Sequence, residues 1–372
     1  MRVGLVIYGS LETLTGGYLY DRKLLDHLAS RGDQTEVFSL PWRNYPRHLA
    51  DNASLSLARR LRRSRFDILL QDELNHPSLV LLNRRLEAQA GCSIVTLVHL
   101  LRSSERRTSR LRGLYAAVER RYLATIDAAV FNCETTRQAV DRLLGRSLPG
   151  VVAYPGCDHL ATSISDNELA VRARAPGPLR VLTIANVLPG KGLHVLVEAL
   201  GRLPLECWRW TIVGSLTMDR AYADRLRGLI RRAGLGSCVD LVGAVPNRQI
   251  PNHLARSHLL AVPSSYEALG IAYLEAMRSG LPVIATSAGG AREVVDHGRE
   301  GFLVAPGDVD ALTRHLQLLL TDRELLLRMG RAALRRAGRH PTWDQSFAHV
   351  RAFLCSLVDS RRCHVRRHRR DC

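Results

Sequence analysis

The feature that most constrains this chain is an alternation, run through twice, of short β-rich apolar runs with turns and stretches of helical periodicity. That order is the pattern of a parallel sheet with crossover helices on both faces. In the first set the spacing predicts strands at 2–7, 35–40, 66–71, 92–99, 128–132 and 151–154, with helical patterns at 18–30 and 109–125 among the connections. In the second it predicts strands at 179–185, 208–214, 239–243, 259–263, 282–286 and 301–304. At 372 residues the chain exceeds what one core supports, so it divides into two domains, read as 1–160 and 175–341. Between them the polar stretch 162–168 and the Pro- and Gly-punctuated 174–178 read as a linker. An amphipathic helix over 343–358 carries Phe347, Val350, Phe353 and Leu354 on one face, and 359–372 is expected to be a basic, disordered tail. The fold class is therefore α/β, with two Rossmann-like, doubly wound parallel sheets facing a cleft, and ligands are expected at the carboxyl ends of the strands.

Composition narrows the class. Hydrophobic residues at 46% and charged residues at 24% exclude a disordered, collagen-like or coiled-coil chain. No apolar run reaches the roughly 18–20 residues of a membrane-spanning helix. Residues 1–7 read as a first strand, since no small-residue cleavage site follows them, and a cytoplasmic location is expected. The eight cysteines include no Cys-x-x-Cys pair and are expected to be reduced, mostly buried thiols. The formal charge of +18 attracts phosphates, nucleic acid or anionic membrane, but only Lys23 and Lys191 are lysines, and such dominance of arginine also follows genome base composition. Nucleic acid is accordingly not an expected partner. Cys363, His364, His368 and Cys372 look like metal ligands only superficially, because six arginines around them oppose a dication, and no metal site is expected.

The richest stretch is 263–282, Pro-Ser-Ser-Tyr-Glu-Ala-Leu-Gly-Ile-Ala-Tyr-Leu-Glu-Ala-Met-Arg-Ser-Gly-Leu-Pro. A strand ends at Pro263 and a short helix over 270–279 closes at Gly280. Glu267 thus precedes a helix N-terminus, whose free amides attract an anion such as phosphate, and Glu275 lies further along the same helix. The loop Asn186-Val-Leu-Pro-Gly-Lys191-Gly192 follows the first strand of the second domain, with Lys191 expected to begin the next helix, where an ammonium can neutralise a diphosphate. Gly289-Gly290 and Gly16-Gly17 each follow a strand and precede a helix; both permit close backbone approach, and a plain turn explains them equally. His99 ends a strand ahead of a polar loop. Asp72, Glu73 and His76 follow another, where lining an acceptor site and capping a helix are both open.

The Glu-x7-Glu spacing of Glu267 and Glu275, with Gly270 between them and Gly280-Leu-Pro-Val-Ile-Ala after them, resembles the retaining glycosyltransferases of the GT-B fold, the glycosyl group 1 family. The loop around Lys191 is similar to the same family. The resemblance implies transfer of a sugar, with retention of anomeric configuration, from a nucleotide-diphosphate donor to an acceptor hydroxyl. It implies that Glu267 approaches the donor sugar, Glu275 binds the ribose, amides around Leu269, Gly270 and Ile271 cradle phosphate, and Lys191 neutralises the leaving diphosphate. It further implies that Gly16 and Gly17 face that diphosphate from the first domain, that His99 contacts donor or acceptor, and that 343–358 returns to the first domain. Family members usually carry Arg where this chain has Asn186, which donates hydrogen bonds without charge.

No cofactor is expected beyond the nucleotide sugar as co-substrate, and metal is not expected to be essential. The Arg-rich segments 59–65 and 102–112 suggest an anionic or lipid-linked acceptor and peripheral contact with anionic membrane, with solvated helix faces as the plainer explanation. A nucleotide-sugar epimerase, and a catalytically silent nucleotide- or nucleic-acid-binding relative, are the alternatives.

Overall fold

The computed structural model describes residues 1–87, 92–104, 109–160 and 164–368. It forms two compact units, one of residues 1–155 with 341–372 and the other of residues 156–340. In the first, β1 (Arg2–Tyr8), β2 (Gln34–Leu40), β3 (Ile68–Asp72), β4 (Ser93–Val98), β5 (Ala128–Phe131) and β6 (Gly150–Val152) make a parallel sheet in the order β2-β1-β3-β4-β5-β6. In the second, β7 (Leu179–Ile184), β8 (Trp208–Val213), β9 (Val239–Gly243), β10 (Leu259–Val262), β11 (Val283–Thr286) and β12 (Gly301–Val304) are ordered β12-β11-β10-β7-β8-β9. Both are doubly wound Rossmann-like sheets, as the alternation predicts. The strand order reverses between β1 and β3 in one and between β7 and β10 in the other, and open α/β sheets bind ligands beyond the carboxyl ends of such neighbours.

The central strands β3, β4, β10 and β11 are buried along their whole length, which is why they read as continuous apolar runs. In the second unit the fully buried Trp210 indole donates to Thr183 Oγ1 at 3.0 Å, and that hydroxyl donates to the Ala261 carbonyl at 2.6 Å. The polar atoms that Trp and Thr bring into the core thus satisfy one another across three adjacent strands.

Two expectations need correction. The stretch read as a linker holds a helix, Asp166–Arg174, opened by a capping box in which Ser165 and Glu168 satisfy each other's end groups. Its Leu169 and Ala173 are buried, and Arg331–Asp166 and Arg174–Glu324 pair it with the helix Arg323–Gly338, so it belongs to the second unit. The Ser-x-x-Glu signature was present in the sequence and weighs more than polarity alone. Nor does the last helix stop at residue 358, with a disordered tail beyond: it runs Trp343–His368. Arg361 and Arg362 are drawn down by Asp127 and Asp67, at 3.4 and 3.0 Å. Side chains beyond Arg362, with Cys363, His364, His368 and Cys372, lie outside the described residues.

That helix seats Phe347, fully buried, edge-on against Tyr20 at 5.0 Å, and Arg351 pairs with Asp33 at 2.7 Å. Burial alone would raise the Asp33 carboxyl, but Arg351 and the amino group of Met1 hold it below its usual range. Truncating Phe347 to Ala should cost about 3–5 kcal/mol, read as an earlier urea midpoint for the first unit's tryptophan and circular-dichroism signals.

Candidate functional site

In the second unit, three loops at the carboxyl ends of β7, β10 and β11 are stitched together by backbone. The Glu267 N–H donates to the Ala288 carbonyl at 3.1 Å, and the Glu267 carbonyl accepts from Gly290 N–H at 2.9 Å. Residue 267 therefore pairs with Gly289 as a one-residue parallel bridge. Gly289 sits at φ +97°, and a Cβ there would collide with the Glu267 carbonyl. On the other side, Ser265 N–H donates to the Gly190 carbonyl at 2.8 Å. Gly192, at φ +69°, lies so close to the Pro263 carbonyl that no side chain fits. Gly289, in a turn that sequence left ambiguous, and Gly192 are thus both close backbone approaches.

The stitching carries Lys191 to Glu267, Nζ to Oε2 at 2.7 Å, with Ser264 Oγ donating to the same oxygen at 3.1 Å. Lys191 does not begin a helix, as the sequence suggested. It ends the 3₁₀ turn Pro189–Lys191, and the helix Leu193–Gly201 starts two residues on, because the left-handed Gly192 intervenes. An ammonium has three donors, so the pair leaves Lys191 with donors for a second anion, while the pairing makes Glu267 a poorer nucleophile. Downstream, the helix Ile271–Arg278 begins at Gly270 with no side-chain cap, so its first amides have no side-chain acceptor. Gly270 is at φ +91°, pressed against the Tyr273 ring. Leu269 is buried.

Glu275 is only 8% exposed, and its Oε1 lies 2.9 Å from His159 Nε2. Sequence reasoning missed His159; its signal was a position just past Pro155-Gly156 at the end of a strand run. Asn186 Oδ1 accepts from Ser215 N–H at 2.9 Å, so its amide ties the β7 loop to the β8 loop, a use the usual Arg cannot serve as an acceptor.

In the first unit the carboxyl ends of β1, β3 and β4 gather buried charge. Thr15 caps the helix Gly16–Ser30, and His99 packs on Gly17, where a Cβ would stand 3.2 Å from His99 Cδ2. Gly17 and Asp21 are one helical turn apart, and Asp21 Oδ1 meets His99 Nε2 at 2.9 Å. That spacing was legible, and Asp21 was missed. Asp72 caps the turn Glu73–Asn75 through Leu74 N–H, realising the capping alternative. Burial first, then the charge of Asp21, pushes the Asp72 carboxyl up to about 7.

Glu73, His76 and Glu119 form a second buried group. His76 Nδ1 is 3.0 Å from the Glu73 carbonyl, and Nε2 meets the Tyr45 hydroxyl at 3.0 Å. Both ring nitrogens thus have protein partners. Burial lowers the His76 imidazole to about 4 and raises the Glu119 carboxyl, helped by Glu73, to about 7.

The arginines expected to face an anionic partner are partly used at home. Arg60 stacks over Phe38, Arg62 donates to the Arg85 carbonyl, and Arg102 lies over the rings of Tyr45 and Tyr115. Residues 105–108 of the second Arg-rich segment lie outside the described residues.

The family described as Glycosyl transferases group 1 matches residues 165–336, and that described as Glycosyltransferase Family 4 matches 18–159. The matches run through both Rossmann-like units, and the chain belongs to the group 1 glycosyltransferases. It is 32% identical over 196 residues to the GDP-mannose-dependent alpha-(1-6)-phosphatidylinositol monomannoside mannosyltransferase of Mycobacterium tuberculosis, covering 50% of this chain and 50% of that protein. Sucrose-phosphate synthase of Thermosynechococcus elongatus aligns over 96% of this chain and 99% of its own, with TM-score 0.82 and 18% identity. Anabaena HepE, solved with UDP-glucose, aligns over 96% and 100% with TM-score 0.75 and 21% identity. At these identities the two structures speak for the fold. The matched part of this chain spans about half or less of the curated relatives' length.

One pH dependence follows from the buried carboxyls. Because the native state keeps a proton on Glu119 between about 4.5 and 7 that the unfolded chain releases, its ionisation costs stability as pH rises through that window. Thermal melts should therefore show Glu119→Gln gaining on the parent chain from pH 5 to pH 8, by about 2–4 °C per kcal/mol recovered. His76, which must shed its charge on folding, contributes the opposite slope, and because the charge of Glu119 raises this imidazole its share changes in the variant as well.

Proposed function

We propose that this protein transfers a glycosyl group from a nucleoside-diphosphate sugar to an acceptor hydroxyl with retention of anomeric configuration. The observation that carries the reading is the stitched triple loop at the β7/β10 switch point, which sets Lys191 and Glu267 beside the uncapped start of the helix bearing Glu275. A mannosyltransferase relative named as GDP-mannose-dependent and a similarly folded protein bound to UDP-glucose support a nucleotide-sugar donor.

In this reading Glu275, held through Oε1 by His159, offers its other oxygen to a ribose hydroxyl. The amides at Gly270–Ile271 and the remaining donors of Lys191 receive the diphosphate and the charge that develops on it as the glycosidic bond breaks. Glu267, paired with Lys191 and Ser264, orients the sugar and stabilises positive charge on it rather than attacking it. The departing phosphoryl oxygen takes the acceptor's proton, and attack from the same face retains configuration. Lys191 and the helix dipole supply the charge a divalent ion would otherwise bring, so chelators should leave turnover largely intact.

Calorimetry with nucleoside diphosphates tests the donor site: Glu275→Ala and Lys191→Ala should each lose about 10–150-fold in affinity, the equivalent of about 1.5–3 kcal/mol. Unchanged affinity in both removes the assignment. For the chemistry, Glu267→Gln should lower turnover more than donor affinity, and NMR of the product should show the donor's anomer. An inverted product, or a glycosyl adduct on Glu267 by mass spectrometry, contradicts the mechanism.

A further inference from the structure

The pairing of Asp21 with His99 reaches beyond this reading while resting on it for its catalytic meaning. His99 follows the carboxyl end of β4, an interior strand of the first unit's sheet, its side chain 17% exposed. Its Nε2 is 2.9 Å from Asp21 Oδ1, one face of the ring lies on Gly17, and Tyr20 meets it edge-on at 5.1 Å. The His99 carbonyl is itself held by Asn132 Nδ2 at 2.9 Å, so backbone and ring are both fixed. Among the described residues, Nδ1 has no protein hydrogen-bond partner.

Asp21 is fully buried, and its second oxygen has no hydrogen-bond partner among the described residues. A carboxylate in that position is tolerated only if the charge it faces compensates its desolvation. The groups facing His99 are acidic: Asp21 from the helix Gly16–Ser30, and Asp72 and Glu73 from the end of β3 and its turn.

We infer that Asp21 is a positioning residue that holds His99 in the doubly protonated form, so that the ring presents a charged Nδ1–H to a ligand oxygen and cannot serve as the base that activates the acceptor. Burial, the largest single influence on this imidazole, pulls it down. The charge and hydrogen bond of Asp21, with Asp72 and Glu73 behind, outweigh that and raise it to about 9. His99 is then a cation throughout the neutral range, and its charge is lost only as pH climbs past about 9. An imidazolium has no lone pair to take a proton; what it offers is a charge-assisted donor to a phosphoryl or hydroxyl oxygen. The structural pairing would be wasted on a neutral ring, because a buried carboxylate beside neutral imidazole recovers little of its desolvation.

The test uses the full chain labelled at histidine with ¹³C and ¹⁵N, with His99 assigned by its loss in His99→Gln. The parent should show both ring nitrogens protonated at pH 7.5 and a titration near 9. Asp21→Asn, which keeps the shape and removes the charge, should lower that titration by more than about one unit. A neutral His99 ring in the parent at pH 7.5, a measurement that needs no variant to fold, overturns the inference. So does a titration unmoved in Asp21→Asn. In transfer assays the alkaline limb of kcat/KM should fall to lower pH in Asp21→Asn and recover in Asp21→Glu, a displacement that loss of stability alone would not produce. The NMR readings require no donor or acceptor, so a chain that transfers no sugar would sink the proposed function and leave the Asp21–His99 assignment to be judged separately.

Discussion

Glu267 is held by its main chain before its side chain does anything. Both its N–H and its carbonyl are taken by the 288–290 loop, as if β10 resumed for a single residue, five positions past its end, to pair with a continuation of β11. That extension is possible only because Gly289 has no Cβ to strike the Glu267 carbonyl. The same device recurs at Gly192 against Pro263, so that the loops after three neighbouring strands share one rigid backbone frame. The Lys191–Glu267 ion pair is a consequence of that frame. As a partly exposed pair it is worth little as a stabilising contact in itself; its importance lies in delivering a cation and a carboxylate to one place.

The first unit solves a different problem at the corresponding place in its own sheet. Asp21, Asp72, Glu73 and Glu119 are all buried near the carboxyl ends of β1, β3 and β4, with His99 and His76 as the basic groups among them. Isolated, such carboxylates would each cost several kcal/mol to desolvate. The network divides the cost by letting some members stay protonated and others pair. Asp72 and Glu119 are pushed toward neutrality, while Asp21 keeps a charged imidazole beside it. Groups pushed apart in this way are a common mark of a working site, since a fold selected for stability alone would replace them with apolar side chains.

The large positive charge is less of a signal than its size suggests. Arg351, Arg361 and Arg362 fasten the last helix to Asp33, Asp127 and Asp67. Arg172 donates to the carbonyls of Ser279 and Gly280 at 2.8 and 2.9 Å, closing the C-terminal end of the helix that carries Glu275. Among the described residues, no helix is long and apolar enough to cross a membrane. The six described cysteines are free thiols.

Periodicity and punctuation made both sheets legible, because a strand buried on both faces must be apolar throughout and its crossover helix must carry one apolar stripe; every strand position read that way exists, with ends shifted by a residue or two. The motif around Glu267 and Glu275 was legible for the same local reason, since a glycine at a left-handed helix start and a carboxylate beside it are written in consecutive residues. What sequence could not supply was distance across the fold. Lys191 and Glu267 are 76 positions apart, Asp21 and His99 are 78, and His159 and Glu275 are 116. The first two pairs meet because parallel strands of one sheet bring their carboxyl ends together, and which ends come together is decided by the order of strands in the sheet, which no window of local sequence contains. His159 follows β6 of the other sheet, so its meeting with Glu275 depends on the path of the chain after that strand. The end of the last helix was likewise a tertiary decision: a run of arginines reads as a solvated tail until the strand-start aspartates that hold it are placed within reach.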